Sequence, residues 1–457
     1  LGASSVTVVS RSGKRYDSDV SSEVRFITYD ILKEELTNRD KNNGCILVNT
    51  TPAGMFPDIS GMPVDPSLLD SPMIMGVLDV VYNPLRTRLV LEAEKRGIRA
   101  ANGLSMLVAQ AFFAEKLFFG RDPVMDEEEE KVLDRIIGSL RAEKENQVLI
   151  GMPGSGKSFS GRWLSEETGR PLFDTDEIFL ERYGIPAGEY IGRNGEAAFR
   201  EKEAEIIAEL SSKEGIVIST GGGAILNSKN TDALKANGIL IYIHRPLKEL
   251  ETDGRPLSKG RENLKGLFYR RLPLYLRAKD RIILNCGSKE ELKEKLSALR
   301  NKRERGEEGE EPMKILIING PNLNMLGIRE PEIYGRSTYA DLLEYLSNEA
   351  KTLGVEAEFF QSNHEGDLVD AIQDAYGIYD GIVINPGAYT HTSIALPDAV
   401  KAVGIPTVEV HISDVDSREE FRKTSYIRQA AIGTVSGKGF EGYAEAMRLI
   451  MENAGKA

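Results

Sequence analysis

Residues 148–158 read VLIGMPGSGKS, a short apolar run that leads directly into the pattern G-x-x-x-x-G-K-S. The apolar run predicts a buried strand. The glycines that follow let successive backbone N–H groups point into one concavity at the start of a helix, where phosphate groups bind. In such loops the lysine reaches the terminal phosphates and the serine hydroxyl ligates Mg²⁺. The sequence therefore predicts a nucleotide-binding P-loop with the contacts Gly154, Ser155, Gly156, Lys157, Ser158 and Phe159.

Short β-branched runs alternate with amphipathic stretches on both sides of this loop. The alternation is typical of parallel sheets that helices cover on both faces. Two charged stretches, residues 121–146 and 299–312, are interpreted as solvated linkers or helix ends. We therefore predict an α/β protein with three domains: a partial Rossmann-type domain in the first segment (1–120), a P-loop parallel sheet in the second (147–298) and a flavodoxin-like parallel sheet in the third (313–457).

The composition excludes several classes of protein. The chain has 457 residues and a net charge of −13, which disfavours general binding to nucleic acid. No apolar run approaches the roughly 18 residues of a membrane helix. The two cysteines, Cys45 and Cys286, cannot form a disulfide framework, so we expect a reducing, cytoplasmic environment.

The first segment opens on a β-branched run that ends near Arg11 and Lys14. In dinucleotide-binding folds, basic residues at this strand end accommodate the 2′-phosphate of NADP. The runs VNTTPAGM (48–55), DVVYNP (79–84) and NGLSMLVAQ (102–110) follow in order. Together these features resemble the nucleotide-binding half of shikimate dehydrogenase.

The resemblance implies that Arg11 and Lys14 hold NADP and that Tyr82, Gly103 and Gln110 lie near the nicotinamide and the substrate. The family's G-x-G-x-x-G turn and its substrate domain do not occur in the sequence, and Ser105 stands where the family usually has glycine. We therefore expect a truncated dehydrogenase domain whose front is missing. It would be inactive as given and would need NADP only if the missing part were supplied.

The second segment carries further polar groups at its predicted strand ends. An acidic pair stands in Asp174-Thr175-Asp176, Arg200 follows Phe199 on a predicted helix, and the run STGGGA occupies 219–224. The predicted strand before this run covers residues 216–218. Two cations come later, Arg255 in a polar loop and Arg271 before an LPLY run.

These motifs resemble shikimate kinase over the whole segment. The resemblance implies that the enzyme uses ATP and Mg²⁺, with Ser158 and Asp174 holding the metal and Arg255 meeting the phosphates from a lid. It implies a shikimate site made of Asp176, Arg200, Gly222 and Arg271. Asp176 would also orient the attacking hydroxyl. His244 follows a predicted strand and is interpreted as a capping or surface histidine.

The third segment contains four predicted strands, at residues 315–318, 357–360, 381–384 and 407–410. Polar runs follow them: NGPNLNMLG from 319, NPGAYTHTS from 385 and EVHIS from 409. Open α/β sheets place ligands at the carboxyl ends of their strands. Three of the four histidines of the chain lie in such positions, which indicates a polar site.

With Arg329, Tyr334, Arg418 and Arg422, these runs resemble type II 3-dehydroquinate dehydratase. The resemblance implies that Tyr334 is the base, with its pKa lowered by cationic neighbours, and that His411 is the acid. The other implied catalytic residues are Arg329, Asn322, Glu409 and Arg418. The implied substrate contacts are Asn385, His391, Ile412, Ser413, Arg422 and, from an adjacent subunit of a trimer or dodecamer, Asp398. No cofactor is implied for this reaction.

The three resemblances name successive steps of one pathway, so the sequence predicts a fused shikimate-pathway enzyme of aromatic amino-acid biosynthesis, acting on shikimate and 3-dehydroquinate. Two alternatives stay open. One is an oligomeric scaffold in which only the dehydratase is active. The other is a P-loop kinase for a different small hydroxylated acceptor.

Overall fold

The structure is a computed structural model that describes residues 4–14, 24–38, 44–122, 124–250, 261–304, 312–327, 337–414 and 424–454. The chain forms two compact units, Leu1–Glu308 and Gly309–Ala457. The first and second segments therefore share one unit, and the third segment forms the other. Among the helices in the described ranges, none has both the length and the hydropathy that crossing a bilayer requires.

The first segment contains two small parallel sheets. One pairs β1 (Val6–Val9) with β2 (Val24–Ile27). The other has the order β3-β4-β5 and consists of β3 (Cys45–Asn49), β4 (Ile74–Asp79) and β5 (Arg99–Ala101). The helices are α1 (Tyr29–Asn38), α2 (Arg88–Glu94), α3 (Leu104–Phe118) and, beyond the segment, α4 (Glu127–Lys144).

Within the part of the chain that the structure describes, the three-stranded sheet is covered on one face. Val77 of β4 is buried and packs with Leu89 of α2. On the opposite face Ile46 is 62% exposed, Val48 50% and Leu78 44%, with Val48 and Leu78 in register across the strand pair. Parallel sheets normally bury both faces under helices, so this exposed apolar row is unusual.

The acidic run predicted as part of a linker begins α4. Asp126 caps this helix, because its carboxylate accepts hydrogen bonds from two backbone N–H groups of the first turn. The buried Lys116 of α3 donates to Glu129 at 2.6 Å. Leu133 packs with Leu104 in a shared apolar cluster, so α3 and α4 are held together.

The second segment is built on a five-stranded parallel sheet with the order β10-β9-β6-β8-β7. Its strands are β6 (Asn146–Ile150), β7 (Leu172–Asp174), β8 (Val217–Ser219), β9 (Gly238–His244) and β10 (Arg281–Leu284). Its helices are α5 (Lys157–Thr168), α6 (Thr175–Tyr183), α7 (Ala187–Asn194), α8 (Glu196–Ser211), α9 (Ser228–Asn237), α10 (Arg261–Ala278) and α11 (Lys289–Glu304). The apolar run before the P-loop is the central strand β6, as predicted.

The third segment forms a second five-stranded parallel sheet, with the order β12-β11-β13-β14-β15. Its strands are β11 (Lys314–Asn319), β12 (Glu356–Gln361), β13 (Gly381–Asn385), β14 (Thr407–His411) and β15 (Gly433–Ser436). Its helices are α12 (Tyr339–Leu353), α13 (Glu365–Asp374), α14 (Ala395–Val403) and α15 (Glu441–Ala454). Counted within the segment the order is 2-1-3-4-5, which is the flavodoxin-like order. The predicted fold class is confirmed.

Candidate active sites

The P-loop has the backbone that phosphate binding requires. Gly154 and Gly156 adopt positive φ values of 81° and 103°, which favour glycine. Lys157 begins α5 and donates from Nζ to the carbonyls of Gly151 and Met152, each at 2.9 Å. These contacts hold the lysine against the loop.

A buried hydroxyl marks the interior of the same loop. The side chain of Ser155 is fully buried, and its Oγ has no hydrogen-bond partner in the part of the chain that the structure describes. Buried polar groups are nearly always paired, so an exception indicates a site for an ordered water, an ion or a ligand. A phosphate oxygen of a nucleotide meets that need, and the loop therefore fits a nucleotide.

Two oxygen donors lie beside the loop where the sequence predicts Mg²⁺. Ser158 Oγ lies 3.5 Å from Asp174 Oδ2, and the other oxygen of Asp174 accepts from the backbone N–H of Asp176 at 2.9 Å. Within the described ranges, no three His, Cys, Asp or Glu residues are grouped so that they could hold a metal. The donors therefore fit an ion such as Mg²⁺, which takes few protein ligands and completes its shell with phosphate oxygens and water.

Two arginines meet at the glycine turn after β8. The carbonyl of Gly222 accepts from Arg271 Nη1 at 3.1 Å and from Tyr275 Oη at 2.5 Å. A side chain at Gly223 would collide with the guanidinium of Arg200. The structure thus brings Arg200, Gly222 and Arg271 together, as the sequence predicts.

Two carboxylates complete this cluster. A Cβ atom added to Gly221 would lie 2.9 Å from Asp176 Oδ1 and 3.1 Å from Glu203 Oε1. Glu203, only 3% exposed, accepts from Arg200 Nη1 at 2.7 Å. Burial raises the pKa of Glu203 more than Arg200 lowers it. Burial, together with the charge of Arg200, lowers the pKa of Arg271. The two cations lie close together at a buried turn, so an anionic ligand would stabilise both.

Glu203 and Tyr275 are absent from the predicted site. Both have a signal in the sequence, because Glu203 stands three residues after Arg200 on α8 and Tyr275 four residues after Arg271 on α10. Residues at these spacings share one helix face. Arg255, the predicted lid residue, lies outside the described residues.

The interpretation of His244 as a capping or surface histidine is wrong. Its ring is 3% exposed, and Nδ1 lies 3.1 Å from the hydroxyl of Tyr242. Burial lowers its pKa to about 3, so the ring is neutral at physiological pH. The residue ends β9, the strand beside β6, where apolar layers cover both faces of the sheet.

The candidate nucleotide residues of the first segment are spread out. Arg11 and Lys14 follow β1 and are partly or fully exposed, and Gln110 is exposed on α3. Gly103 is the N-cap residue before α3, and a side chain there would collide with the carbonyl of Val80, close to Tyr82. Gly103 and Tyr82 thus belong to neighbouring loops. NADP binding by Arg11 and Lys14, and the placing of Tyr82, Gly103 and Gln110 near the nicotinamide and the substrate, stay predictions.

The third segment gathers its polar groups at the carboxyl ends of its strands. Asn322 follows β11 with a positive φ of 67°, and its backbone N–H donates to Asn363 Oδ1 at 2.9 Å. Asn385 ends β13 and donates from Nδ2 to the hydroxyl of Tyr443 at 2.9 Å. That hydroxyl donates in turn to Asn319 Oδ1 at 2.7 Å. A buried chain of hydrogen bonds therefore fixes Asn385.

Glu409 and His411, near the carboxyl end of β14, form a carboxylate–histidine pair. His411 Nε2 lies 2.9 Å from Glu409 Oε1, and Glu409 is fully buried. Hydroxyl groups surround this carboxylate: Ser425 donates at 2.8 and 3.0 Å, Thr434 at 3.3 Å, and Thr390 also donates to it. Burial alone would raise the pKa of Glu409, but these hydrogen bonds and His411 lower it. Glu409 is therefore an anion at neutral pH.

Some of the remaining predicted residues of the third segment lie in the described ranges, and the others lie outside them. His391 is held by a 2.8 Å contact between Nδ1 and the carbonyl of Thr424. Ile412 is buried, Ser413 accepts a hydrogen bond through its carbonyl, and Asp398 is exposed on α14. The predicted residues outside the described ranges are Arg329, Tyr334, Arg418 and Arg422. The partners that sequence reasoning missed are Asn319, Asn363, Thr390, Ser425, Thr434 and Tyr443.

Comparison with known proteins agrees with the two sites. The family model described as dehydroquinase class II matches residues 313–451, and the model described as shikimate kinase matches residues 153–300. The 3-dehydroquinate dehydratase of Clostridium acetobutylicum is 57% identical over 131 residues, which cover 29% of this chain and 91% of that protein. The dehydratase of Geotalea daltonii is 55% identical over 144 residues, which cover 32% and 100%.

Among solved structures, shikimate kinase from Acinetobacter baumannii, in complex with shikimate, is 31% identical with a TM-score of 0.34, covering 35% of this chain and 96% of its own. The family comparisons identify the domains built on the two five-stranded parallel sheets as a pair of α/β enzyme domains, a transferase and a lyase. Through its third segment the chain belongs to the class II dehydroquinase family, and its second segment carries a shikimate kinase domain. The predicted dehydrogenase relationship of the first segment has no such support.

Proposed function

We propose that the chain catalyses two reactions of the shikimate pathway: ATP-dependent phosphorylation of shikimate to shikimate 3-phosphate, and dehydration of 3-dehydroquinate to 3-dehydroshikimate. Each reaction would use one of the two sites described above. The first segment would take part in neither reaction, because every residue proposed for the two reactions lies in the second or the third segment.

The observation that supports the kinase is the convergence of Arg200 and Arg271 on the turn at Gly222. Arginine pairs carboxylates in bidentate fashion, so these cations would hold the carboxylate of shikimate. Asp176 would orient the attacking hydroxyl and accept its proton as the oxygen bonds to the terminal phosphorus of ATP, while the bond from that phosphorus to the bridging oxygen breaks and ADP leaves. Ser158 and Asp174 would hold Mg²⁺, which would neutralise phosphate charge when bound. Arg255 would stabilise the transferring group.

The observation that supports the dehydratase is the pair formed by Glu409 and His411. The reaction needs a base to remove a proton beside a carbonyl and an acid to protonate the departing hydroxyl. Tyr334 would take the proton, and Arg329 with Asn322 would stabilise the enolate that forms. His411 would give a proton to the hydroxyl, which leaves as water. The buried anion of Glu409 would hold His411 through Nε2, leaving the other ring nitrogen for the substrate.

We propose the remaining contacts from the family resemblance. Asn385, His391, Ile412, Ser413 and Arg422 would bind 3-dehydroquinate. The exposed Asp398 would contact the substrate of an adjacent subunit, because the family forms trimers and dodecamers. Arg11 and Lys14 would bind NADP only in a protein that supplies the rest of the dehydrogenase.

Reciprocal variants test the two assignments in one protein. Tyr334→Phe should abolish formation of the enone product from 3-dehydroquinate and leave phosphorylation of shikimate unchanged. Lys157→Ala should do the reverse. Tyr376→Phe and Lys229→Ala, both at exposed positions, are the matched controls. Dehydration that survives in Tyr334→Phe would show that the base is another residue.

Acceptor choice separates shikimate kinase from other P-loop kinases. Initial rates of ATP consumption would be compared with shikimate, gluconate and nucleoside monophosphates as acceptors. We expect shikimate to have the highest kcat/KM by a wide margin, and Arg271→Ala to remove that preference. A preference for another acceptor would support the alternative kinase, and phosphoryl transfer to none of them would support the oligomeric scaffold.

A further inference from the structure

Arg86 of the first segment reaches into the second segment. Its backbone N–H donates to the carbonyl of Ala236 at 2.8 Å, and its Nε donates to the carbonyl of Lys235 at 2.9 Å. Nη2 also donates to the carbonyl of Gly238. One arginine of the first segment therefore satisfies three carbonyls at the end of α9, the helix that closes at Asn237.

Among the described residues, the end of α9 shows no left-handed glycine cap. The last carbonyls of a helix lack intrahelical partners, and many helices satisfy them with a glycine in the left-handed conformation. Here the C-cap residue Gly238 is extended, with φ −136° and ψ 155°. A cation at this end also interacts favourably with the helix dipole. Arg86 thus acts as a C-terminal cap supplied by a distant part of the chain.

A buried carboxylate completes the contact. Asp280 accepts from Arg86 Nη1 at 2.8 Å and from Nη2 at 2.9 Å, a bidentate pair whose side chains are 18% and 16% exposed. Asp280 also accepts from the backbone N–H of Leu240 in β9 at 2.8 Å. Although burial acts to raise the pKa of Asp280, Arg86 and Lys235 hold it at about 2. Both partners are therefore charged. Removing Arg86 would leave Asp280 with the more distant Lys235, at 3.5 Å, and removing Asp280 would leave Arg86 with Glu94, at 3.6 Å.

Neighbouring contacts widen the interface. The backbone N–H of Leu85 donates to the side chain of Asn237 at 3.1 Å. Lys95 pairs with Asp232 at 2.8 Å, an exposed contact that contributes little by itself. Both contacts link the first segment to α9.

We propose that the first segment stabilises the fold of the second segment, with Arg86 capping α9 and neutralising Asp280. This assigns a role to residues 1–120 that needs neither NADP nor a dehydrogenase activity. The contacts lie at the amino ends of β9 and β10, whereas the P-loop and the turn at Gly222 lie at carboxyl ends of strands in the same sheet. The proposal therefore concerns the stability of the second segment rather than its affinity for substrates.

The sole tryptophan of the chain makes this testable without reference to activity. Trp163 lies on α5 and packs against the core of the second segment, so its fluorescence reports the unfolding of that segment. In the full chain, Arg86→Met should lower the urea midpoint of the Trp163 transition by roughly 1–2 M. Arg88→Met is the matched control, because the hydrogen bond of Arg88 among the described residues stays within the first segment, to the carbonyl of Ser60 at 3.2 Å.

A mutant cycle with Asp280→Asn separates the pair from general damage. If the two residues act together, the double variant should shift the midpoint much less than the sum of the single shifts. Should Arg86→Met fail to fold, Arg86→Lys against Arg88→Lys gives the same comparison with a smaller expected shift. Phosphorylation of shikimate by folded Arg86→Met at low temperature should keep its KM values. Equal midpoints for Arg86→Met and Arg88→Met would overturn the proposal, whatever substrate the kinase uses.

Discussion

Each of the two sites contains one buried glutamate, and the pKa values of these two glutamates shift in opposite directions. Glu203 is 3% exposed and Glu409 is fully buried, and each lies beside a residue proposed to act on the substrate. Burial by itself would raise the pKa of both carboxylates. Glu203 has one strong partner, Arg200, and its pKa stays raised, whereas Glu409 has His411 and several hydroxyl donors, and its pKa is lowered.

The comparison teaches that the neighbours of a buried carboxylate decide the direction of its pKa shift. Asp176 adds to the effect of burial on Glu203, whereas His411 and the hydroxyl donors offset the effect of burial on Glu409. Hydrogen bonds to the charged form favour that form, and hydroxyl groups supply them without adding charge. In the third segment the carboxylate is a permanent anion that holds a histidine. In the second segment the carboxylate shares its charge with Arg200, which we propose as a substrate contact.

The largest expected effect comes from removing the negative charge of Glu409 in the third segment. Glu409→Gln would leave His411 without its anionic partner and would place an amide among hydroxyl donors. We expect kcat for dehydration to fall by about 10²-fold or more, since general acid catalysis contributes 10²–10⁴-fold. Glu445→Gln, an exposed change in the same segment, should leave kcat unchanged. A small loss in Glu409→Gln would show that the histidine does not depend on the charge.

The equivalent change in the second segment should cost less. Glu203→Gln keeps an acceptor for Arg200 but loses the ion pair, so we expect KM for shikimate to rise about 5–10-fold with KM for ATP unchanged. Glu205→Gln, an exposed change on the same helix, is the control. Equal increases of both KM values would indicate a general distortion of the segment.

The hydroxyl groups that donate to Glu409 should differ in their contributions to stability according to the number and length of their hydrogen bonds. Ser425 donates to both carboxylate oxygens at 2.8 and 3.0 Å, whereas Thr434 donates to one at 3.3 Å. Ser425→Ala should therefore lower the free energy of unfolding of the third segment by about 1–3 kcal/mol, and Thr434→Val by less than about 1 kcal/mol. Thermal inactivation of the dehydratase would measure both, and the reverse order would contradict the role of the donors.

The smallest effects concern pH and have opposite signs in the two segments. The pKa of Glu409 is depressed, so its stabilisation is present above the unfolded value and should be lost as pH falls. The pKa of Glu203 is raised, so its charge destabilises the fold, and this penalty should shrink as pH falls. Hydrogen exchange of β14 and Trp163 fluorescence would follow the two segments, with Glu409→Gln and Glu203→Gln removing the respective trends.

Much of the fold was predictable from short patterns. The apolar run at 148–150 becomes the central strand β6, and the four strands predicted in the third segment are β11 to β14. These signals are local, because a buried parallel strand is a continuous apolar run. The short edge strand β15 (Gly433–Ser436) carries no such run and was not predicted.

Side-chain partners were harder to predict, because they depend on register across the sheet. Ser425 and Thr434 lie far from Glu409 in the sequence and meet it only after the strands pair. The surface interpretation of His244 failed for the same reason, since its burial depends on Tyr242, Phe268 and the layers around β9. The link from Arg86 to α9 joins residues about 150 positions apart, and no local pattern indicates it.

The uncovered face of the sheet β3-β4-β5 has a practical consequence. Ile46, Val48 and Leu78 form an exposed apolar strip on this parallel sheet, whose outer strands β3 and β5 each pair with one strand among the described residues. Surfaces of this kind favour self-association. In concentrated preparations we therefore expect the earliest aggregates to form through this apolar face of the first segment, while the second and third segments are still folded.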